Sequence, residues 1–131
     1  MRCGAHLLKH WSKTQAGVAL SSAEADLYAI VKGSIEGIGV QSLMRELGHR
    51  VKIVVSTDSA AARGAILQSG VSRMKHVSIN QMWVQEKAAR NLIEYKKVER
   101  ARNPSDLMTH HWNTREGDLH LGQMHVEGCA P

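Results

Sequence analysis

Asp26, Asp58 and Asp106 are the residues of this 131-residue chain whose placement could gather chemistry. Asp58 directly follows the β-branched run VKIVVST (51–57), Asp106 stands just after Asn103-Pro104, and Asp26 opens an apolar-periodic stretch behind Ser21. If the run is a strand and the other two acids lie in the first turns of helices, all three occupy strand-end and helix-start positions, where α/β domains collect their sites. Converging carboxylates are what hard divalent cations such as Mg²⁺ require, and two such ions roughly 4 Å apart suit phosphodiester hydrolysis. Each acid also has a plainer role. Asp58 could be the N-cap of a following helix, and Asp106 could sit at N3 to complement a helix dipole. Glu24 and Asp26 are two residues apart, hence about 200° apart around a helix, and cannot both face one site. Glu24 completes a capping box with Ser21, which leaves Asp26 to point elsewhere.

The elements that must hold these acids follow from periodicity. Residues 6–11 and 15–20 are short apolar-rich runs around Ser12-Lys13-Thr14, the pattern of two strand pieces or one bent strand. Ser21 and Glu24 open a long helix; Val31, Ile35 and Ile38 keep helical spacing toward Leu43 and Leu47, and Gly48 stops it. Gly33, Gly37 and Gly39 each cost that helix about 1 kcal/mol against Ala, so they predict close packing or a local break. Residues 51–57 read as a buried strand, followed at once by a helix with Ala62, Ala65 and Ile66 on one face and Gly70 at its end. A helix over 76–90 carries Ile79, Met82 and Trp83, and 92–98 reads as a strand. Asn103 and Pro104 start a short helix through about His110, and 113–131 is polar, Gly-containing and unperiodic. Trp11 and Trp83 fall inside apolar runs and are expected in the core rather than as stacking platforms. The order predicts an α/β domain with a mixed β-sheet flanked by helices.

Composition narrows the class. Hydrophobic residues make up 43%, too many for a disordered tail, and no uncharged apolar run is long enough to cross a bilayer. Arg2, His6, Lys9 and His10 crowd the first ten residues without a signal-peptide block behind them, so an intracellular protein, cytoplasmic or nuclear, is expected. Cys3 and Cys129 fit neither a disulfide framework nor a thiol zinc site. The net charge of +5 resides in residues 73–102, with eight basic groups against three acids; elsewhere basic and acidic groups balance at nine each. A phosphate backbone is thus a plausible partner for one region, and a solvated basic surface is the plainer alternative.

The strings HWSKTQ (10–15), ALSSAEADLYAI (19–30), STDSAA (56–61), RMKHVSI (73–79) and NPSDLMT (103–109) occur together, in this order and spacing. With them the chain resembles the ribonuclease H domain at the end of copia-type retrotransposon Pol polyproteins, from about residue 6 to about 111. The resemblance implies an RNase H-like fold and Mg²⁺- or Mn²⁺-dependent cleavage of the RNA strand in an RNA/DNA hybrid by four acidic metal ligands. Three positions match. Asp26 stands where the family has a helix-borne Glu, Asp58 matches the strand-end Asp, and Asp106 matches the last acid. Losing one methylene at Asp26 retracts the carboxylate by roughly 1.5 Å, against a tolerance of about 0.5 Å in catalytic constellations. In the RMKHVSI segment, Arg73, Lys75 and His76 are the nucleic-acid-binding candidates; Arg73 and Lys75 suit phosphate contacts, while a His at a helix start is more often a local cap.

The family's fourth ligand lies on a first strand ahead of HWSKTQ, and residues 1–23 contain no Asp or Glu. The expectation is therefore a partial RNase H-like domain over 1–111, N-terminally truncated with its first strands missing, and a polar tail over 112–131. Two functions stay open: a metal-dependent endonuclease fragment, inactive as an isolated chain, or an inactive basic remnant that binds nucleic acid. An unrelated α/β binding module would require the motifs to coincide by chance. The partners expected are an RNA/DNA hybrid or other nucleic acid and, within a polyprotein, an upstream reverse transcriptase segment; no membrane is expected.

Overall fold

The computed structural model describes residues 1–4, 6–11, 19, 21–68, 78–105 and 113–123. The chain forms two compact units, one of residues 15–97 and one of residues 1–14 with 98–131. The larger unit holds α1 (Ser22–Glu46), β3 (Ile53–Thr57), α2 (Ala60–Leu67), α3 (Ser78–Ala89) and β4 (Ile93–Lys97). The smaller holds β1 (Arg2–Cys3), β2 (His6–Leu7), a 3₁₀ turn (Arg100–Arg102) and α4 (Thr114–Gln123). No helix among the described residues is long and apolar enough to cross a membrane.

Helix α1 begins as its capping pair predicts: extended Ser21 accepts the Glu24 N–H on its Oγ at 3.2 Å. It ends in a Schellman motif. His49 N–H reaches the Met44 carbonyl at 2.8 Å and Gly48 N–H the Arg45 carbonyl at 3.0 Å, with Gly48 at φ +84°, where a side chain would be strained. Helix α3 closes in the same way, with Asn91 in place of glycine at φ 52° and Leu92 N–H on the Lys87 carbonyl, and the chain passes straight into β4.

The buried face of α1 includes the expected Val31, with Ile38 packed against the core, but otherwise differs from the expected one. It consists of Glu24, Leu27, Ile30, Val31 and Ser34, whereas Ile35, Leu43 and Leu47 are half or more exposed. Positions 24, 27, 31 and 34 repeat every three or four residues and so form one stripe, into which two polar residues have been admitted. Against that stripe pack Ile53, Ala62, Ile66, Val84, Ile93 and Tyr95. In α3 the expected face is likewise rotated: Ile79 and Met82 are exposed, while Gln81 and Val84 are fully buried and Trp83 is half-buried against the core. Trp11, expected in the core, is exposed with Lys9 Nζ 5.4 Å from its ring centroid.

Strands β3 and β4 pair in parallel, Ile53 with Ile93 through Thr57 with Lys97, while β1 and β2 make a separate antiparallel pair. The described residues therefore form two two-stranded sheets, not the one mixed sheet expected. Strand β3 is buried on one face, where the described helices pack, with Val54 45% exposed on the other. On that open side Glu94 lies between Lys52 (2.7 Å) and Lys96 (3.3 Å), whose hydrogen bonds hold its carboxyl below the usual range. In the smaller unit, α4 occupies residues expected to be unperiodic; Asn113 and Glu116 at the cap and N3 positions were its sequence signal. The helix expected over 103–110 lies mostly outside the described residues; at its start Asn103 Oδ1 accepts the Ser105 N–H.

No break occurs at the glycines of α1, and close packing occurs at one. A Cβ on Gly37 would meet Ile53 Cγ2 at 3.0 Å, whereas Gly33 and Gly39 have nothing within 4 Å. Gly33→Ala and Gly39→Ala are each expected to stabilise the protein by about 0.5–1 kcal/mol in chemical unfolding. Gly37→Ala gains nothing, since the buried, β-branched Ile53 has to yield. Equal gains at all three positions would contradict this packing.

Candidate functional site

Asp58 stands at the carboxyl end of β3, and its plainer role is taken by its neighbours. Thr57 Oγ1 accepts the Ser59 N–H at 3.1 Å, and Ser59 Oγ accepts the Ala62 N–H at 3.2 Å, so Ser59 is the N-cap of α2. The half-buried Asp58 carboxylate makes no hydrogen bond or ion pair with any described residue.

Asp26 is half-buried too and has no such partner among the described residues. Three tethers fix its height along the sheet. Gln41 Nε2 donates to the Val51 carbonyl at 2.8 Å, Gly37 lies against Ile53, and Ser34 Oγ lies 3.1 Å from the hydroxyl of Tyr95, the register partner of Val55. As the helix is followed backward, its contacts move forward along the strands, so α1 runs antiparallel to β3. From Gly37 back to Asp26 is 11 residues, about 16 Å of helix and close to three whole turns. From Ile53 forward to Asp58 is five residues, about 16 Å of strand. Asp26 is thus about 20° around α1 from Gly37, at the edge of the buried stripe, and about as far along the helix from Gly37 as Asp58 is along the strand from Ile53. The shallow cleft lined by Ser21, Ala23, Ala60, Ala61 and Gly64 agrees, placing the start of α1 beside the start of α2. Glu24 lies on the other flank of the helix and is buried.

Among the described residues no three His, Cys, Asp or Glu side chains gather as a metal-binding group. Asp106, the third expected ligand, and Arg73, Lys75 and His76, the expected nucleic-acid contacts, lie outside the described residues. Two cations of the larger unit stand near this end of the sheet: Lys97, which belongs to the basic stretch 73–102, and Arg63, which carries no signal in the sequence. Lys97 ends β4 in register with Thr57, one residue from Asp58, and Arg63 in the first turns of α2 donates its Nε–H to the Tyr95 carbonyl at 3.5 Å. Only strand register reveals Lys97 as a neighbour of Asp58, since the two are far apart in sequence.

No protein-family model matches the chain, and no solved structure matches it. Over 100 residues, 75% of its length, the chain is 32% identical to the retrovirus-related Pol polyprotein from transposon TNT 1-94 of Nicotiana tabacum. It spans 8% of that polyprotein's length. The chain is a relative of one segment of a retrotransposon Pol polyprotein.

Proposed function

We propose that the chain is the RNase H-like segment of a copia-type retrotransposon Pol, in which Asp26 and Asp58 hold a divalent cation, Mg²⁺ or Mn²⁺, for work on the RNA strand of an RNA/DNA hybrid. The observation that carries this reading is that Asp58, at the carboxyl end of β3, and Asp26, in the first turns of α1, are each half-buried and without a partner among the described residues. Carboxylate oxygens kept clear of protein donors are the donor set a hard cation takes. The motif strings around both residues and the similarity to a Pol polyprotein support the same reading. A bound cation supplies charge stabilisation for the phosphodiester and a more acidic water.

Taken alone, the chain is expected to bind the ion without turnover. It has no acid ahead of Glu24, and Asp26 is one methylene shorter than the family's Glu. The test is Mn²⁺ binding by paramagnetic resonance, together with cleavage of an RNA/DNA hybrid in millimolar Mg²⁺ or Mn²⁺. Loss of an outer-shell partner alone costs a metal site about 10–100-fold, so Asp58→Asn, which removes a direct ligand, is expected to weaken Mn²⁺ binding by about tenfold or more. Mn²⁺ affinity unchanged by Asp58→Asn would remove the site. Turnover that Asp58→Asn abolishes would show that another group replaces the missing carboxylate.

A further inference from the structure

We propose that Lys97, with Arg63 beside it, is the phosphate-gripping element of this sheet end, holding the nucleic-acid backbone next to the carboxylates of Asp26 and Asp58. The inference rests on the nucleic-acid reading above and adds to it the residues that take the phosphodiester. Lys97 is the last residue of β4, and its register partner Thr57 directly precedes Asp58, so its backbone lies about 5 Å from that of Thr57. By strand alternation its side chain follows Ile93 and Tyr95, both buried under the helices, yet Lys97 itself is exposed. It therefore leaves the core-facing side of the sheet where the helical cover ends. The neighbouring Lys96 points to the opposite side and is spent on Glu94 at 3.3 Å. Lys97 has no carboxylate partner among the described residues, although Asp58 is one residue from its register partner.

Arg63 adds a second cation on the β4 side. Arg63 is half-buried and anchored by Nε to the Tyr95 carbonyl, and it makes no ion pair with a described residue. Asp58 thus follows the end of β3, while both cations belong to the β4 side, Lys97 at its end and Arg63 bonded to Tyr95. A metal-bound phosphodiester needs both halves: oxygen ligands for the cation and donors for the phosphate's own charge.

The experiment is fluorescence anisotropy of the whole chain with an RNA/DNA hybrid in EDTA between 50 and 200 mM salt, so that its outcome is independent of metal binding. Each phosphate contact contributes about 0.9 to the slope of log K against log salt, which is about threefold in affinity over that range. Lys97→Gln is expected to lower the slope by about that amount. Lys96→Gln, which removes the same charge from the other face, is expected to leave it near the wild-type value. Arg63→Gln is expected to act like Lys97→Gln; because it also removes an anchor, its fold is checked by circular dichroism, and if it unfolds the exposed Lys97 alone decides the outcome. Equal slopes for wild type and Lys97→Gln, equal losses in Lys96→Gln and Lys97→Gln, or no hybrid binding by the wild type would each overturn the inference. None of these results alters the Mn²⁺ test of Asp58.

Discussion

Leu27→Ala is expected to destabilise the protein by about 2–5 kcal/mol, the range for truncating a fully buried leucine. Leu27 is fully buried in the stripe of α1 that meets Ile53, Ile66 and Ile93, so the cavity has walls from several elements and little freedom to collapse. In a domain of 60–100 residues each kcal/mol lowers the melting temperature by about 4–8 °C, so a fall of at least about 8 °C is expected. Leu43→Ala, the same change at a position 56% exposed on the same helix, is expected to stay within about 0.5 kcal/mol. Equal falls for the two would mean that the buried stripe has been assigned to the wrong side of α1.

The second large effect lies where that stripe becomes polar. Ser34 Oγ donates its one proton to the Ile30 carbonyl at 2.8 Å, so the Tyr95 hydroxyl, 3.1 Å away, must be the donor between the two side chains. Ser34→Ala therefore strands a buried phenol and is expected to cost about 1–3 kcal/mol. Tyr95→Phe leaves Ser34 bonded to its own helix and is expected to cost about 1 kcal/mol, with coupling between the two changes in a double-mutant cycle. Burial pushes the Tyr95 phenol up from its ordinary value. Above about pH 10 the unfolded chain releases this proton while the folded chain retains it, so stability falls as pH rises. In Tyr95→Phe that component of the alkaline loss is expected to vanish in urea titrations. An identical alkaline profile would place the loss on other groups.

Much of the larger unit was legible in the sequence wherever a local signal existed. Ser21 with Glu24 marked the start of α1 and Gly48 its end, and the β-branched run announced β3. Which residues α1 and α3 bury was not legible, because apolar spacing was the only guide and the core admits polar side chains. Gln81 is buried because its amide, together with that of Gln85, serves the Ala65 carbonyl at the end of α2, and Ile79 is left outside. The two-residue strands β1 and β2 are too short to show a period. At the candidate site the positions of Asp26 and Asp58 were readable, but their lack of partners was not. Asp58 and Ser59 are equally good caps on paper, and only the geometry shows that Ser59 took the role.

The pairing of β3 with β4 carries a kinetic consequence. Every partner lies 40 positions along the chain, from Ile53 with Ile93 to Thr57 with Lys97. Closing a loop of that length costs about (3/2)RT ln n, roughly 3 kcal/mol, before any ladder bond repays it. Helix α1, capped at both ends by near neighbours, needs no such closure to begin forming. The expected order of assembly is therefore helices first and strand pairing late. Thr57 and Lys97 come into register only with this pairing, so in that order the sheet end that carries Asp58 is completed late.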